Sequence, residues 1–237
     1  MIENLFKVSV IRGRDATGFI AMTDPWDCPQ RQRIITDKAP LPADEFVQKS
    51  SIWRGLRSRR CNMVLGHVRM ATHGDPKENE NNHPHCGEHL HLVHNGVVRG
   101  NHFDLADRYC VQLETDCDSE VLLRMVEKAS TVPIGLSLCL RERPGSMVVY
   151  DSRKGILWLA RDESRPLWIC RLRRDTRSWF ASTSGILIEA LVRTFGKPIV
   201  EEIEQLFPLA PMHIFSLSPR GTFVAAFEDE VRPKVWT

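Results

Sequence analysis

Two apolar runs, each followed by a glycine, and the polar loop between them constrain this chain more than any other stretch. Met63-Val64-Leu65 leads into Gly66, and Leu90, Leu92 and Val93 lead into Asn95-Gly96. Both runs read as buried strands stopped by a glycine. The intervening segment carries Gly-His-Val-Arg-Met-Ala-Thr-His-Gly at 66–74 and then Asn82-His83-Pro84-His85, and it holds most of the histidines. An Arg, a Thr, an Asn and several His are thus gathered at two strand ends. Rigid scaffolds present polar groups to a ligand in this way.

The flanking sequence supplies the rest of a layered domain. Ile2, Leu5, Phe6 and Val8 have helical spacing, which predicts an amphipathic helix over 1–11. A turn at 12–18 leads to a strand at 19–22, and two prolines make 23–30 a loop. A helix is expected over 41–60, starting near Pro42 or Ala43, with Phe46, Ile52 and Leu56 inward. Residues 101–108 form a short helix, and Asp118 reads as the N-cap of a longer one. The second half is mostly strand. A hairpin turn at 151–154 joins 146–150 to 155–160, and 167–170 and 179–182 look like a second pair. A helix over 184–195 ends at Gly196, and 212–217 and 222–227 form a last hairpin through 218–221. No repeat, low-complexity segment or linker interrupts this order. The expected architecture is α+β in a single domain spanning 1–237.

Composition excludes several classes. At 42% hydrophobic and 26% charged, 237 residues can bury a core. A net charge of +2 argues against a dedicated nucleic-acid binder. The basic runs at 54–60 and 171–177 read as solvated faces. The start does not read as a signal peptide, and no apolar stretch approaches the ~20 residues of a membrane span. Seven cysteines, odd in number and without framework spacing, suggest reduced thiols and a cytoplasmic location.

Several motifs, in order, resemble the glutaminase domain of class II glutamine amidotransferases, which are N-terminal-nucleophile hydrolases. Arg12-Gly13-x-Asp15-x-x-Gly18 resembles the family's Arg-Gly-x-Asp-Ser-x-Gly, with Ala16 for Ser. The stretch at 66–74 resembles Gly-His-Thr-Arg-Trp-Ala-Thr-His-Gly, with Val68 and Met70 as departures. Asn82-x-Pro84-His85, Val93-His94-Asn95-Gly96 and Asp118-Ser119-Glu120-Val121 follow in the family's order. The resemblance implies a four-layer αββα sandwich of two antiparallel sheets.

It also implies roles. Arg69 would clamp the α-carboxylate of L-glutamine with paired charge-assisted bonds. Asp118 would meet the α-ammonium, with Asp116 as an alternative. Asn95 and the Gly96 N–H would form the oxyanion hole. Met70, Thr72 and His73 would line the substrate pocket, and Arg12, Asp15 and His85 would support it. No cofactor or metal is implied. The ammonia acceptor would lie on a synthase partner chain.

The family's nucleophile is an N-terminal Cys opening a Cys-Gly-Ile strand, with its own α-amine as base. This chain begins Met1-Ile2-Glu3-Asn4 and contains no Cys-Gly-Ile. The expectation is that this first strand is missing from the sequence, through a mis-called or truncated start. A natural pseudoenzyme is the other reading. Physics favours the first, since each orphaned buried backbone group costs about 1–3 kcal/mol against a typical domain stability of ~5–15 kcal/mol.

Other readings stand beside these. His83, His85, Cys86, His89 and His91 could hold zinc, which would make this a metal-binding protein. A glutaminase-like scaffold or regulatory subunit is a third class. His67 reads as a hydrogen-bonded core histidine, and Trp158, Trp168 and Trp179 as core.

Overall fold

The computed structural model describes residues 1–23, 34–56, 59, 61–173, 175, 177–217 and 223–225. Positions 24–30 of the proline loop (Cys28 among them), parts of both basic runs and the turn at 218–221 lie outside these residues. So do positions 222, 226 and 227 of the last expected strand.

The N-terminal third contains α1 (Ile2–Ser9), β1 (Ala16–Met22), β2 (Ile34–Ala39), α2 (Ala43–Lys49), α3 (Ser51–Leu56) and β3 (Met63–Arg69). The middle contains β4 (His85–Cys86), β5 (Leu90–Gly96), α4 (His102–Tyr109), α5 (Asp118–Lys128) and α6 (Val132–Arg141). The remainder contains β6 (Gly145–Asp151), β7 (Ile156–Arg161), β8 (Trp168–Leu172), β9 (Ser178–Ala181), α7 (Ser184–Phe195), β10 (Ile203–Pro208), β11 (His213–Leu217) and β12 (Phe223–Ala225).

Alternation along the strands builds the layers. In β1, Ile20 and Met22 face one way and Phe19 and Ala21 the other, yet all are buried. A strand covered on both faces lies between two layers. Ile20 and Met22 join Val93, Val148, Tyr150, Leu159, Ile169 and Phe215 in a core between the sheets. Phe19 and Ala21 pack outward against Phe6, Phe46 and Trp53 of the first three helices. In β6, Met147 and Val149 turn instead to Leu122, Leu136 and Leu140 of α5 and α6. The order is helix, sheet, sheet, helix: the α+β sandwich expected.

One sheet has six antiparallel strands in the order β12-β11-β7-β6-β5-β4. Opposite it stand two three-stranded sheets, β2-β1-β3 and β10-β8-β9. Among the described residues β3 pairs only with β1, and β9 only with β8.

Several local expectations need correction. Gly66 does not stop its strand. It sits inside β3, where an added Cβ would lie 2.3 Å from Cζ of Phe6. Its role is to seat that ring. The helix expected over 41–60 is two helices, because Ser50 interrupts it. The Ser50 hydroxyl accepts from the Trp53 N–H at 2.8 Å and donates to Asp37 at 2.5 Å. The restart turns Trp53 inward and leaves Ile52 exposed. The first helix ends at Ser9 and continues as a 3-10 turn over Val10–Arg12. Asp118 is the first residue of α5, and Cys117 is its N-cap. Trp179 is buried, while Trp158 and Trp168 are partly buried at the edges of their clusters.

The sequence reading missed β2, α6 and β10. Pro133 and Gly135 disguised α6, yet both fit it. The proline lies in the first turn, and Gly135 lets α6 approach α5 so closely that a Cβ would meet the Val126 Cα at 2.6 Å.

Candidate active site

A cavity of about 920 Å³ opens between the β3 edge, the end of β5, the start of α5 and β9. Its wall includes Arg12, Arg69, Met70, Thr72, Asn95, Gly96 and Asp118. Seven of the ten residues marked out by the motifs therefore share one concavity. His73 stands behind Asp118, its Nδ1 3.6 Å from Oδ2. Asp15 and His85 lie off the wall.

Arg69 ends β3 and is 4% exposed. Its Nη1 donates to Asn82 Oδ1 at 2.8 Å, and its Nη2 donates to the carbonyls of His73 and Gly74. The guanidinium is thus fixed by the loop that follows its own strand. Nothing in the spacing of Asn82 marked it as this anchor.

The turn at 12–15 buttresses the same segment. Asp15 N–H donates to the Arg69 carbonyl at 3.1 Å, and its carboxylate accepts from the Ala71 N–H at 2.7 Å. A Cβ at Gly13 would lie 2.3 Å from the Arg69 carbonyl carbon, so only glycine allows this backbone contact. Arg12 and Met70 are solvent-facing at the cavity mouth, Met70 at 68% exposure.

At the end of β5, the Asn95 Nδ2 is buried and has no hydrogen-bond partner among the described residues. Gly96 follows, with the Pro144 carbonyl only 1.8 Å from where a Cβ would be. His94, on the opposite face of the strand, locks this corner. Its Nε2 donates to the Pro144 carbonyl at 2.8 Å, so its Nδ1 accepts from the Ser119 hydroxyl at 2.8 Å. Burial holds this imidazole below its usual pKa, which keeps that neutral tautomer.

Asp118 is 2% exposed, and its Oδ2 accepts from the Val98 N–H at 2.7 Å. Its other oxygen lies 3.9 Å from the Cys117 sulfur, which is 3.9 Å from Arg69 Nη2. Asp116 is exposed and off the cavity wall, its N–H donating to Asn81. The loop before α5 is held by buried Glu120, which accepts from the Glu114 and Thr115 N–H groups and from the Thr115 hydroxyl.

The histidine-rich stretch splits. Cys86 pairs with His91 and His85 with Leu92, so His85 and His91 point to opposite faces of the sheet. His91 stacks on Tyr150, and His89 turns to Glu88. His83 and His85 stay together, ring centroids 4.7 Å apart, and His67 lies 4.1 Å from His83. Burial lowers the pKa of His83 well below its usual value and takes His67 and His85 to about 3, with neighbouring positive charge adding to the effect. His67 lines the cavity wall, its imidazole closed in against His83, rather than lying in an apolar core.

This fold occurs in glutamine phosphoribosylpyrophosphate amidotransferase from B. subtilis, solved with ADP and GMP. The TM-score is 0.68 at 18% identity, over 96% of this chain and 46% of that one. The two chains therefore share one architecture, that of an amidotransferase. The sequence profile described as "Glutamine amidotransferase domain" matches residues 67–189, and the chain belongs to that family. Glutamine–fructose-6-phosphate aminotransferase (isomerizing) from Pectobacterium atrosepticum is 32% identical over 117 residues, 45% of this chain and 19% of the relative. The enzyme of the same name from Halalkalibacterium halodurans is 43% identical over 121 residues, 49% of this chain and 18% of the relative. The matched segments amount to about a fifth of these curated relatives. No helix among the described residues is long and apolar enough to cross a membrane.

Proposed function

We propose that this chain binds L-glutamine in the β3–β5–α5 cavity and provides the amide-hydrolysing site of a glutamine amidotransferase. Arg69 receives the α-carboxylate and Asp118 the α-ammonium, with Thr72 beside the side chain and His73 backing Asp118 from off the wall. The observation that carries this reading is the Asn95 amide: a buried donor without a partner, on the wall shared by Arg69 and Asp118. Leaving such a donor unmet costs about 1–3 kcal/mol. An oxyanion formed at the glutamine amide carbon would satisfy it, together with the Gly96 N–H, only in the transition state.

The reaction needs a thiolate that attacks the amide carbon, releases ammonia and leaves a thioester for water to cleave to glutamate. A thiol approaching between β3 and β9 would reach this wall: among the described residues β3 pairs only with β1 and β9 only with β8, and both line the cavity. Ammonia then passes to an acceptor on a synthase partner.

The test is calorimetry on a chain preceded by a Cys-Gly-Ile strand with that Cys changed to Ala. L-glutamine binds and D-glutamine does not. Arg69→Ala weakens binding by about tenfold to a hundredfold, since a charge-assisted contact contributes roughly 1.5–3 kcal/mol. Arg69→Lys weakens it too, because an ammonium cannot make two parallel bonds. Binding that ignores Arg69 would sink the assignment.

A further inference from the structure

Deep in the same cavity wall lies a second set of polar atoms that the glutamine reading leaves without a substrate contact. His83, His85 and Cys117 are all buried, and one ligand atom from each lies within 4.8 Å of the others. Both ring nitrogens of His83 and Nε2 of His85 have no hydrogen-bond partner among the described residues. Buried polar atoms are normally satisfied, so three orphans in one place point to a missing partner.

We infer that His83, His85 and Cys117 form a binding site for one thiophilic transition-metal ion, Zn²⁺ or Cu⁺.

The donor set argues for that class of ion. Two imidazole nitrogens and one sulfur, with no carboxylate, suit zinc or copper and offer nothing to Mg²⁺ or Ca²⁺. Zinc bonds of about 2.0–2.3 Å put tetrahedral ligands roughly 3.4–3.7 Å apart, so the three atoms need to close by about 1 Å. His83 and Cys117 belong to the cavity wall, which gives an ion an entry path.

Charge sets the requirements further. Burial raises the Cys117 thiol pKa, and Arg69 Nη2, 3.9 Å from the sulfur, offsets part of that, so the thiol gives up its proton only to a strong metal–sulfur bond. Metal binding forms the metal–sulfur bond and releases the thiol proton to solvent, with no change of oxidation state. The nearby guanidinium disfavours any cation that lacks a strong thiolate bond. Lys38 orients the loop: its ammonium donates to the Asn82 and Pro84 carbonyls, at 2.7 and 3.3 Å, on either side of His83.

This site differs from the five-residue cluster suggested by sequence spacing. It drops Cys86, His89 and His91 and takes Cys117 from the start of α5.

The test is metal loading of the unmodified full chain after chelator treatment. Zn²⁺ titration and elemental analysis give about one equivalent per chain, or Cu⁺ does so against a competing chelator, while Mg²⁺ and Ca²⁺ give none. Substituted Co²⁺ shows a sulfur-to-cobalt charge-transfer band. Cys117→Ser abolishes that band, and it and His85→Gln each weaken binding by about a hundredfold or more. Cys86→Ser and His91→Gln change neither. No stoichiometric Zn²⁺ or Cu⁺, a cobalt spectrum without the thiolate band, or dependence on Cys86 in place of Cys117 each overturns the inference. The cobalt spectrum of the unmodified chain decides even where a variant fails to fold.

Discussion

The Asp15 carboxylate accepts a hydrogen bond from the Ala71 backbone N–H at 2.7 Å, across 56 residues of sequence. It fixes the chain where β3 hands over to the cavity mouth, just beyond Arg69. The groups are exposed, so removing the bond affects position more than stability. Asp15→Ala is expected to lower stability by no more than about 0.5–1.5 kcal/mol. It should weaken L-glutamine binding by a larger factor than the stability change would suggest. Thermal melts and calorimetry on the same variant check this; unchanged affinity would show that the 69–72 segment holds its shape unaided.

Gly66 and Phe6 give a packing prediction. A methyl at Gly66 would meet the Phe6 ring at 2.3 Å, and that ring is edge-on to Trp53 with centroids 5.2 Å apart. Overpacking of this kind costs about 1–3 kcal/mol, so Gly66→Ala should destabilise by that amount. Phe6→Leu should relieve part of it, and a double-mutant cycle in denaturant should return a favourable coupling between the two changes. Additive effects would mean the strand moves away instead.

Acid sensitivity follows from His91. Burial lowers its pKa to about 4 in the folded chain, with His89 adding to the effect. The unfolded chain, with a pKa near 6.5, takes up a proton first as pH falls. The stabilising neutral form is fully present above about pH 6.5, and its contribution is lost as pH falls toward 4. His91→Gln should flatten the stability slope in that window by up to about 1.4 kcal/mol per pH unit. Urea melts at several pH values measure it, and an unchanged slope would refute the assignment to His91.

The cysteines described on the cavity wall should not by themselves support turnover. Cys61 and Cys117 are the described cysteines on the cavity wall, and burial raises both thiol pKa values, which leaves little thiolate to attack. Ammonia release from L-glutamine is the assay. Steady turnover that survives replacement of all seven cysteines would overturn the thiol mechanism.

Much of the fold was written locally. Alternation at 146–150 and 156–160 specified β6 and β7. Gly196 stops α7 where the sequence placed its end, and Thr183 starts it by accepting from the Ile186 N–H. Motifs that resemble the amidotransferase family, in its order, marked Arg69, Asn95, Gly96 and Asp118, and the fold gathers these four on one cavity wall. Local signals of period 2 or 3.6 could not say which residues meet across elements. Whether His85 turns toward His83 and Cys117 or toward His91 depends on strand register, since a slip of one residue reverses every side chain. That Asn82 would hold Arg69, that Ser119 and Pro144 would clamp His94, and that Gly66 would seat Phe6 rather than end a strand were fixed only when separate layers packed. Those contacts join positions 13 to 60 residues apart, and only the tertiary structure brings them within hydrogen-bond or van der Waals reach.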